Sequence, residues 1–303
     1  MKFYTFEHSR EQRIGFECAG RLVDWRDAAH DLAPDSREAV PTDMMAFLRG
    51  GEAALSSARR LHQRIANDGT VLLQRAWAHP FDAVTLRAPI AQPGKILCSG
   101  VNYRGHLDEN PNATLPSDPF FFAKMPSAII GPREPIVHPK RTRQLDYEVE
   151  LAVVIGRRLS AASPQEAMKG VAGYTVLHDV SARDVQFKDS QITIGKNFAG
   201  FAPIGPAIVT ADAMPHPDQV GLKTRLNGKT LQDGSTSDWL FSLPRLIAFL
   251  SRYIPLEPGD IVTTGTPAGV GIFQKPPVFM KAGDVVEIEG EGIGVLRTPI
   301  VAG

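Results

Sequence analysis

Three acidic residues lie at positions where two otherwise apolar strands are predicted, and together they could bind a metal ion. Glu148 and Glu150 alternate near the start of the run 145–155, and Asp179 interrupts a second apolar run. Because strand side chains alternate between faces, Glu148 and Glu150 point the same way. Neighbouring buried carboxylates repel each other, so a positive group must compensate them. Three carboxylates form an all-oxygen site, which favours Mg²⁺ or Mn²⁺.

The spacing of the acidic residues also allows a purely structural interpretation. In this alternative, Glu148 and Glu150 line a solvated strand face and pair with Arg141 or Arg143. His178 precedes the third acidic residue and is expected to point away from a metal, because strand neighbours face oppositely. The sequence pattern leaves the choice between a cation and basic side chains open.

A histidine and a glutamate three residues apart predict a pair on one face of a short helix. These residues are His106 and Glu109, within residues 102–109. A carboxylate beside an imidazole orients the ring and raises its basicity, as a general base requires. The polar segment 110–119 lacks a core-forming pattern and suits a lid that orders around substrate. The alternative is a surface pair on an exposed helix.

A glycine-rich loop follows a predicted strand at residues 265–271. It lacks the Gly-Lys-Ser/Thr ending of a phosphate-binding loop, which argues against a nucleotide site. Its backbone N–H groups could instead hold a carboxylate, and a simple tight turn is the alternative.

Composition and charge exclude several function classes. The 303 residues include 33 basic and 33 acidic side chains, and a formal charge of zero argues against a nucleic-acid partner. No apolar run reaches about 18 residues, so no membrane span is expected. The N-terminus lacks the long apolar stretch of a signal peptide. Cys18 and Cys98 lie far apart, which favours reduced thiols and a cytoplasmic location.

The predicted elements divide the chain into a small and a large domain. Short strands are followed by two helical stretches, one ended by Gly50-Gly51 and one ending at residues 67–69. A junction at Ala91-Gln92-Pro93-Gly94 separates a small α/β domain (1–92) from a strand-rich domain (93–303). In the latter, Asn227-Gly228 predicts a hairpin turn. The fold class is therefore α+β, mainly β.

An ordered set of short motifs resembles the fumarylacetoacetate hydrolase (FAH) family from about residue 95 to residue 301. The motifs are Gly100-Val101-Asn102-Tyr103 with His106 and Glu109, and then residues 119–124, 146–151, 178–184, 195–198, 201–206 and 264–271. The resemblance implies a mixed β-roll behind a variable N-terminal domain, usually as a homodimer, and substrates that are 2-oxo or 1,3-dicarbonyl acids.

The resemblance also implies roles for particular residues. Mg²⁺ or Mn²⁺ would be held by Glu148, Glu150 and Asp179. The remaining counterparts are the catalytic residues His106, Glu109 and Lys196 and the substrate-binding residues Arg183, Gln186, Thr266 and Lys124. His106 and Glu109 would together activate water, and Lys196 would stabilise the negative charge of an enolate.

The implied activity is metal-dependent chemistry through a metal-bound enolate, with hydrolytic C–C bond cleavage as the first expectation. Keto–enol tautomerisation or decarboxylation of a 2-oxo acid such as oxaloacetate is the alternative, because it uses the same enolate. Residues 272–284 resemble the subgroup of FAH-domain-containing protein 2 and its bacterial relatives, which is linked with oxaloacetate tautomerisation. Gln191-Ile192 departs from the Gln-Trp pattern often found here. A non-catalytic module that binds metal or a small acid is the alternative from another class.

Overall fold

A computed structural model of the chain describes residues 1–32, 40–67, 75–110 and 114–303. Residues 68 and 69, where the second helical stretch is predicted to end, and part of the predicted lid lie outside these ranges. The strands are β1 (Lys2–His8), β2 (Glu11–Cys18), β3 (Arg21–Asp24), β4 (Ala78–His79), β5 (Thr85–Arg87), β6 (Ile96–Ser99), β7 (Phe121–Lys124), β8 (Ile129–Ile130), β9 (Ile136–His138), β10 (Leu145–Asp146), β11 (Val149–Ile155), β12 (Val171–His178), β13 (Ser181–Ala182), β14 (Ala202–Thr210), β15 (Gly221–Leu226), β16 (Lys229–Ser235), β17 (Ile261–Thr263), β18 (Val285–Gly290) and β19 (Gly294–Ala302). The helices are α1 (Trp25–Leu32), α2 (Met44–Asn67), α3 (Arg104–Glu109), α4 (Pro164–Lys169), α5 (Arg183–Gln186), α6 (Ile192–Gly195) and α7 (Leu243–Tyr253).

A large mixed sheet forms the centre of the molecule. Its strand order over the described residues is β4-β3-β2-β1-β14-β12-β11-β17-β6-β7, with β5 beside β1 and β8 beside β14. The pairs β17–β6 and β14–β8 are parallel, and the other pairs are antiparallel. Every residue of β11 is buried, because this central strand is covered on both faces. The sheet therefore provides a rigid support for the carboxylates at the ends of β11 and β12.

A second sheet, of order β16-β15-β18-β19-β9, packs against the first. Gly290 of β18 permits this close approach, since a Cβ there would lie 2.4 Å from Cγ2 of Val176. The hairpin predicted at Asn227-Gly228 joins β15 to β16, and both residues have the positive φ of a type I′ turn (52° and 82°). This mainly β, mixed-sheet architecture confirms the predicted fold class.

The N-terminal strands extend the large sheet, because β1 pairs with β14. Helices α1 and α2 cover them through an aromatic cluster that includes Phe3, Trp25 and Phe47. Gly51 has a non-helical φ of 53° within α2, so two helical stretches meet there at a kink, as the Gly50-Gly51 pair predicts. The domain boundary at residues 92/93 remains a prediction.

Two further sequence expectations concern membranes and thiols. In the part of the chain that the structure describes, no helix has the length and apolarity that a membrane crossing needs. Cys18 and Cys98 are both buried free thiols.

Candidate active site

The three predicted metal ligands come together at one end of the β11–β12 pair. Val149 lies opposite His178, so Glu148 and Asp179 flank this pair at the strand ends. The backbone N–H of Asp179 donates to the carbonyl of Glu148 at 2.9 Å, which fixes their relative position. One carboxylate oxygen from each of Glu148, Glu150 and Asp179 lies within 4.8 Å of the others, and all three side chains are buried.

Basic side chains compensate two of the three carboxylates. Lys196 Nζ lies 2.7 Å from Glu148 Oε2 and 2.7 Å from Asp179 Oδ2, and Arg183 Nη2 lies 2.5 Å from Glu148 Oε1. Although burial alone would raise it, the charges of Arg183 and Lys196 hold the pKa of Glu148 well below its usual range. The structural alternative of pairing with Arg141 or Arg143 is not what the structure shows.

Glu150 differs because no basic group pairs with it anywhere in the described ranges. Its Oε2 accepts a bond from the backbone N–H of Gly265 at 3.3 Å. Burial, and then the charges of Asp179 and Glu148, raise the pKa of Glu150 well above its usual range. An uncompensated buried carboxylate beside two others is the environment that a cation stabilises, so the residues present fit a divalent metal ion.

Arg183 is held by protein groups on all sides of its guanidinium. Its Nε donates to Asp146 Oδ2 at 2.8 Å, and its Nη1 donates to Gln186 Oε1 at 3.1 Å. Asp146 also accepts from the backbone N–H of Gly271 at 2.7 Å. Arg183 therefore positions Glu148 and Gln186.

The two lysines occupy different positions relative to the cleft. Lys196 lines it, and its ammonium lies 5.1 Å from the ring centroid of Phe122. Lys124 is fully buried, with Nζ 2.6 Å from Asp179 Oδ1 and 2.5 Å from the carbonyl of Lys196. The contacts of Lys124 are thus with the protein, and its role toward substrate stays a prediction.

The predicted histidine–glutamate pair is formed on α3. His106 Nδ1 lies 3.2 Å from Glu109 Oε2, and Glu109 Oε1 accepts from the backbone N–H of Gly269 at 2.5 Å. Asp238 accepts from the N–H of Gly105 at 2.8 Å and holds the start of the same helix. Glu109 therefore both orients the imidazole and fastens α3 to the glycine-rich loop.

Several of these groups line a cleft of about 140 Å³. Its lining combines charged and polar side chains with an apolar wall, and includes His106, Glu148, Glu150, Arg183, Gln186, Lys196, Thr266, Phe120, Phe122 and Ile192. Ile192 occupies the region where the sequence departs from the Gln-Trp pattern. The volume suits a short acid, and the lining offers cationic and hydrogen-bonding groups for its oxygens.

His178 is buried on the opposite face of the strand pair from the three carboxylates, as the alternation predicts. Neither ring nitrogen has a hydrogen-bond partner among the described residues. Burial, and then the charge of Lys124, lower the pKa of His178 to about 3, so the ring is neutral. It is a core residue.

Comparison with known proteins identifies the family. The model described as "Fumarylacetoacetate (FAA) hydrolase C-terminal" matches residues 95–301, about two-thirds of the chain. The chain belongs to the fumarylacetoacetate hydrolase family. It is therefore an FAH-family enzyme, and the alternative of a non-catalytic module is wrong.

Relatives extend the similarity over nearly the whole chain. "Oxaloacetate tautomerase fahd2, mitochondrial" from Xenopus laevis is 40% identical and covers 99% of this chain and 90% of its own. The human "Oxaloacetate tautomerase FAHD2A, mitochondrial" is 43% identical over 86% of this chain and 81% of its own. A solved structure titled "Fumarylacetoacetate hydrolase (EaFAH) from psychrophilic Exiguobacterium antarcticum" is 37% identical, covers 100% of both chains and has a TM-score of 0.82.

The expected cytoplasmic location is wrong by this comparison, because these tautomerase relatives are named mitochondrial. The expectation rested partly on reduced cysteines. Reduced thiols indicate a reducing environment in general, so cysteine usage does not distinguish one reducing compartment from another.

Two residues of this FAH-family site were missed by the sequence analysis. Asp146 belongs to the motif at residues 146–151, and its position before the paired glutamates was a usable signal. Gln232 lies in β16, far along the chain, and forms side-chain bonds to Thr266 and to the backbone of β11. No local pattern marks Gln232, since its partners come from other elements.

Proposed function

We propose that this protein is an oxaloacetate tautomerase, which interconverts the keto and enol forms of the acid. The observation that carries this choice over hydrolysis is the similarity, along nearly the full chain, to proteins named oxaloacetate tautomerases. The cleft of about 140 Å³, with cationic and amide groups in its wall, supports a short dicarboxylic substrate.

We also propose that Glu148, Glu150 and Asp179 hold Mg²⁺ or Mn²⁺. The support is the uncompensated buried charge of Glu150 and the all-oxygen donor set. When bound, such an ion supplies Lewis-acid polarisation of the substrate carbonyl. Four buried carboxylates, counting Asp146, face three basic groups in this cluster, so a divalent ion leaves the site net positive and suited to an anionic substrate.

Different side chains of the protein then stabilise charge, transfer the proton and bind the substrate carboxylates. The ammonium of Lys196 stabilises negative charge that develops on the 2-oxygen. His106, oriented by Glu109, removes a proton from C3 and returns one to the oxygen, so the reaction is balanced without water. Thr266 binds the C1 carboxylate, and the Gln186 amide binds the distal carboxylate.

The experiment that tests this function follows the ultraviolet absorbance of the oxaloacetate enol with purified protein. We expect rapid approach to keto–enol equilibrium, loss of that activity in EDTA and recovery with Mg²⁺ or Mn²⁺, because the carboxylate trio loses and regains its ion. Rates equal to the uncatalysed reaction would reject the tautomerase proposal. Unchanged rates in EDTA would reject the metal, and measured CO₂ release would favour decarboxylation.

A second candidate function is hydrolysis of an acylpyruvate. The favouring observation is the His106–Glu109 pair, because a carboxylate-oriented imidazole is also the arrangement that would deprotonate water in a hydrolase. Parallel assays with an acylpyruvate separate this activity from tautomerisation.

We expect His106→Gln to slow tautomerisation by about 10²- to 10⁴-fold, the usual contribution of a general base. The affinity for Mn²⁺ should not change, because His106 is not among the proposed ligands. Asp108→Asn, an exposed position on the same helix, is the matched control. Full tautomerisation with lost acylpyruvate hydrolysis in His106→Gln would instead assign the dyad to hydrolysis.

We further propose that the protein is a homodimer. The exposed apolar side chains are Met125, which follows β7, Phe187, which follows α5, and Ile194 in α6. These elements pack together beside the cleft, and a subunit contact would cover the three side chains. A solution mass of one chain, measured by light scattering, would contradict this.

A further inference from the structure

A buried glutamine links the strand that carries the metal-ligating glutamates to the loop that carries Thr266. Gln232 lies in β16 and is completely buried. Its Oε1 accepts from the N–H of Val149 at 3.1 Å and from Thr224 Oγ1 at 2.7 Å. Its Nε2 donates to Thr266 Oγ1 at 2.8 Å and to the carbonyl of Pro267 at 2.9 Å. All four hydrogen-bonding positions of the amide are therefore used.

The partners of Gln232 fix the orientation of its amide. The Val149 N–H can only donate, so it must face Oε1, and the Pro267 carbonyl can only accept, so it must face Nε2. Thr266 Oγ1 consequently receives a hydrogen from Gln232. The hydroxyl hydrogen of Thr266 is then free to donate to another acceptor, and Thr266 lines the cleft.

The loop is seated closely on β16, which is an edge strand of the second sheet. A Cβ on Gly234 would lie 2.5 Å from Cβ of Pro267, and a Cβ on Gly269 would lie 2.3 Å from the carbonyl oxygen of Leu231. Gly269 also has a φ of 104°. These glycines allow the approach that brings Gln232 within reach of the loop.

We propose that Gln232 is a positioning residue for carboxylate recognition. It holds Thr266 so that its O–H points to the substrate carboxylate, and it ties this donor to the Val149 peptide between Glu148 and Glu150. Gln232 thus holds the Thr266 hydroxyl at a fixed distance from the segment that carries Glu148 and Glu150. This inference rests on the proposed function, because it assumes that the cleft binds a 2-oxo acid.

The test is a double-variant cycle between Gln232 and Thr266, with oxaloacetate turnover and calorimetric binding of oxalate in Mg²⁺ as readouts. Gln232→Glu replaces the donor by an acceptor of the same shape, so the Thr266 hydroxyl turns toward residue 232. We expect KM and the oxalate Kd to rise about 10- to 100-fold, as for loss of a charge-assisted hydrogen bond. We expect kcat to stay within about threefold.

The double-variant cycle shows whether Gln232 acts through Thr266. Thr266→Val should show the same rise, and the double variant should be no worse than Thr266→Val alone, because Gln232 acts through Thr266. Thr298→Val is the matched control, since Thr298 is buried in the same sheet and its hydroxyl has no partner among the described residues. Thr224→Val loses one contact of Gln232 and should give a smaller rise of the same kind if Gln232→Glu does not fold.

Additive losses in the double variant, an unchanged KM in Gln232→Glu, or a fall in kcat alone would overturn the inference. Failure of the proposed function is distinguishable, because it appears as no turnover by the unaltered protein. The oxalate-binding cycle still tests Gln232 in that case.

Discussion

Glu150→Gln is expected to abolish divalent-ion binding and to lower the tautomerisation rate about a thousandfold, equivalent to about 4 kcal/mol of lost Lewis-acid stabilisation. In the metal-free protein, by contrast, the same substitution should increase the stability of the fold. Glu150 has no basic partner in the described chain, and burial and the charges of Asp179 and Glu148 raise its pKa. Keeping this carboxyl group in the metal-free fold therefore reduces stability at neutral pH, and a neutral amide avoids that cost. We expect the free energy of unfolding in EDTA to rise by about 1–2 kcal/mol.

Glu148→Gln is the matched comparison, because it also removes one carboxylate from the trio. Glu148 is bonded to Arg183 and Lys196, so its loss leaves buried cations without a partner. The free energy of unfolding in EDTA should fall by about 3–5 kcal/mol. Denaturant unfolding of both variants measures the contrast. Equal destabilisation by the two substitutions would show that Glu150 is compensated in a way that the structure does not contain.

Lys196→Met is expected to lower kcat by about 10²- to 10³-fold, the usual cost of removing a group that stabilises a developing oxyanion. Mn²⁺ affinity should not weaken, because the substitution removes positive charge next to Glu148 and Asp179. Steady-state kinetics with a separate Mn²⁺ titration distinguishes this variant from loss of a ligand.

Lys95→Met provides the control for the loss of a lysine ion pair. Lys95 Nζ lies 2.7 Å from the buried Asp260, and Lys95 does not line the cleft. Its substitution should leave kcat within about threefold. A kcat loss in Lys95→Met equal to that in Lys196→Met would mean that general destabilisation, and not charge at the reacting oxygen, explains the effect.

Local patterns in the sequence predict much of the site. Strand alternation places Glu148 and Glu150 on one face and His178 on the other, and helical spacing brings His106 to Glu109. These predictions succeed because each depends on neighbours a few residues apart, for which backbone geometry is decisive.

Local sequence patterns did not predict the contacts between elements that are distant along the chain. Arg183, and not Arg141 or Arg143, pairs with Glu148, since the pairing of β13 with β10 brings the first residue of α5 beside Asp146 and Glu148. The Gln232 bonds and the β1–β14 pairing likewise depend on strand register across the molecule. Such contacts come from tertiary packing, which residue spacing does not encode.

The most direct test of the central claim is a Mn²⁺ titration of the metal-free protein, followed by electron paramagnetic resonance of the free ion. We expect one tight site per chain, lost in Glu150→Gln and retained in Lys196→Met. Absence of tight Mn²⁺ binding to the unaltered protein, with Mg²⁺ also failing to compete or to stabilise it, would contradict the account.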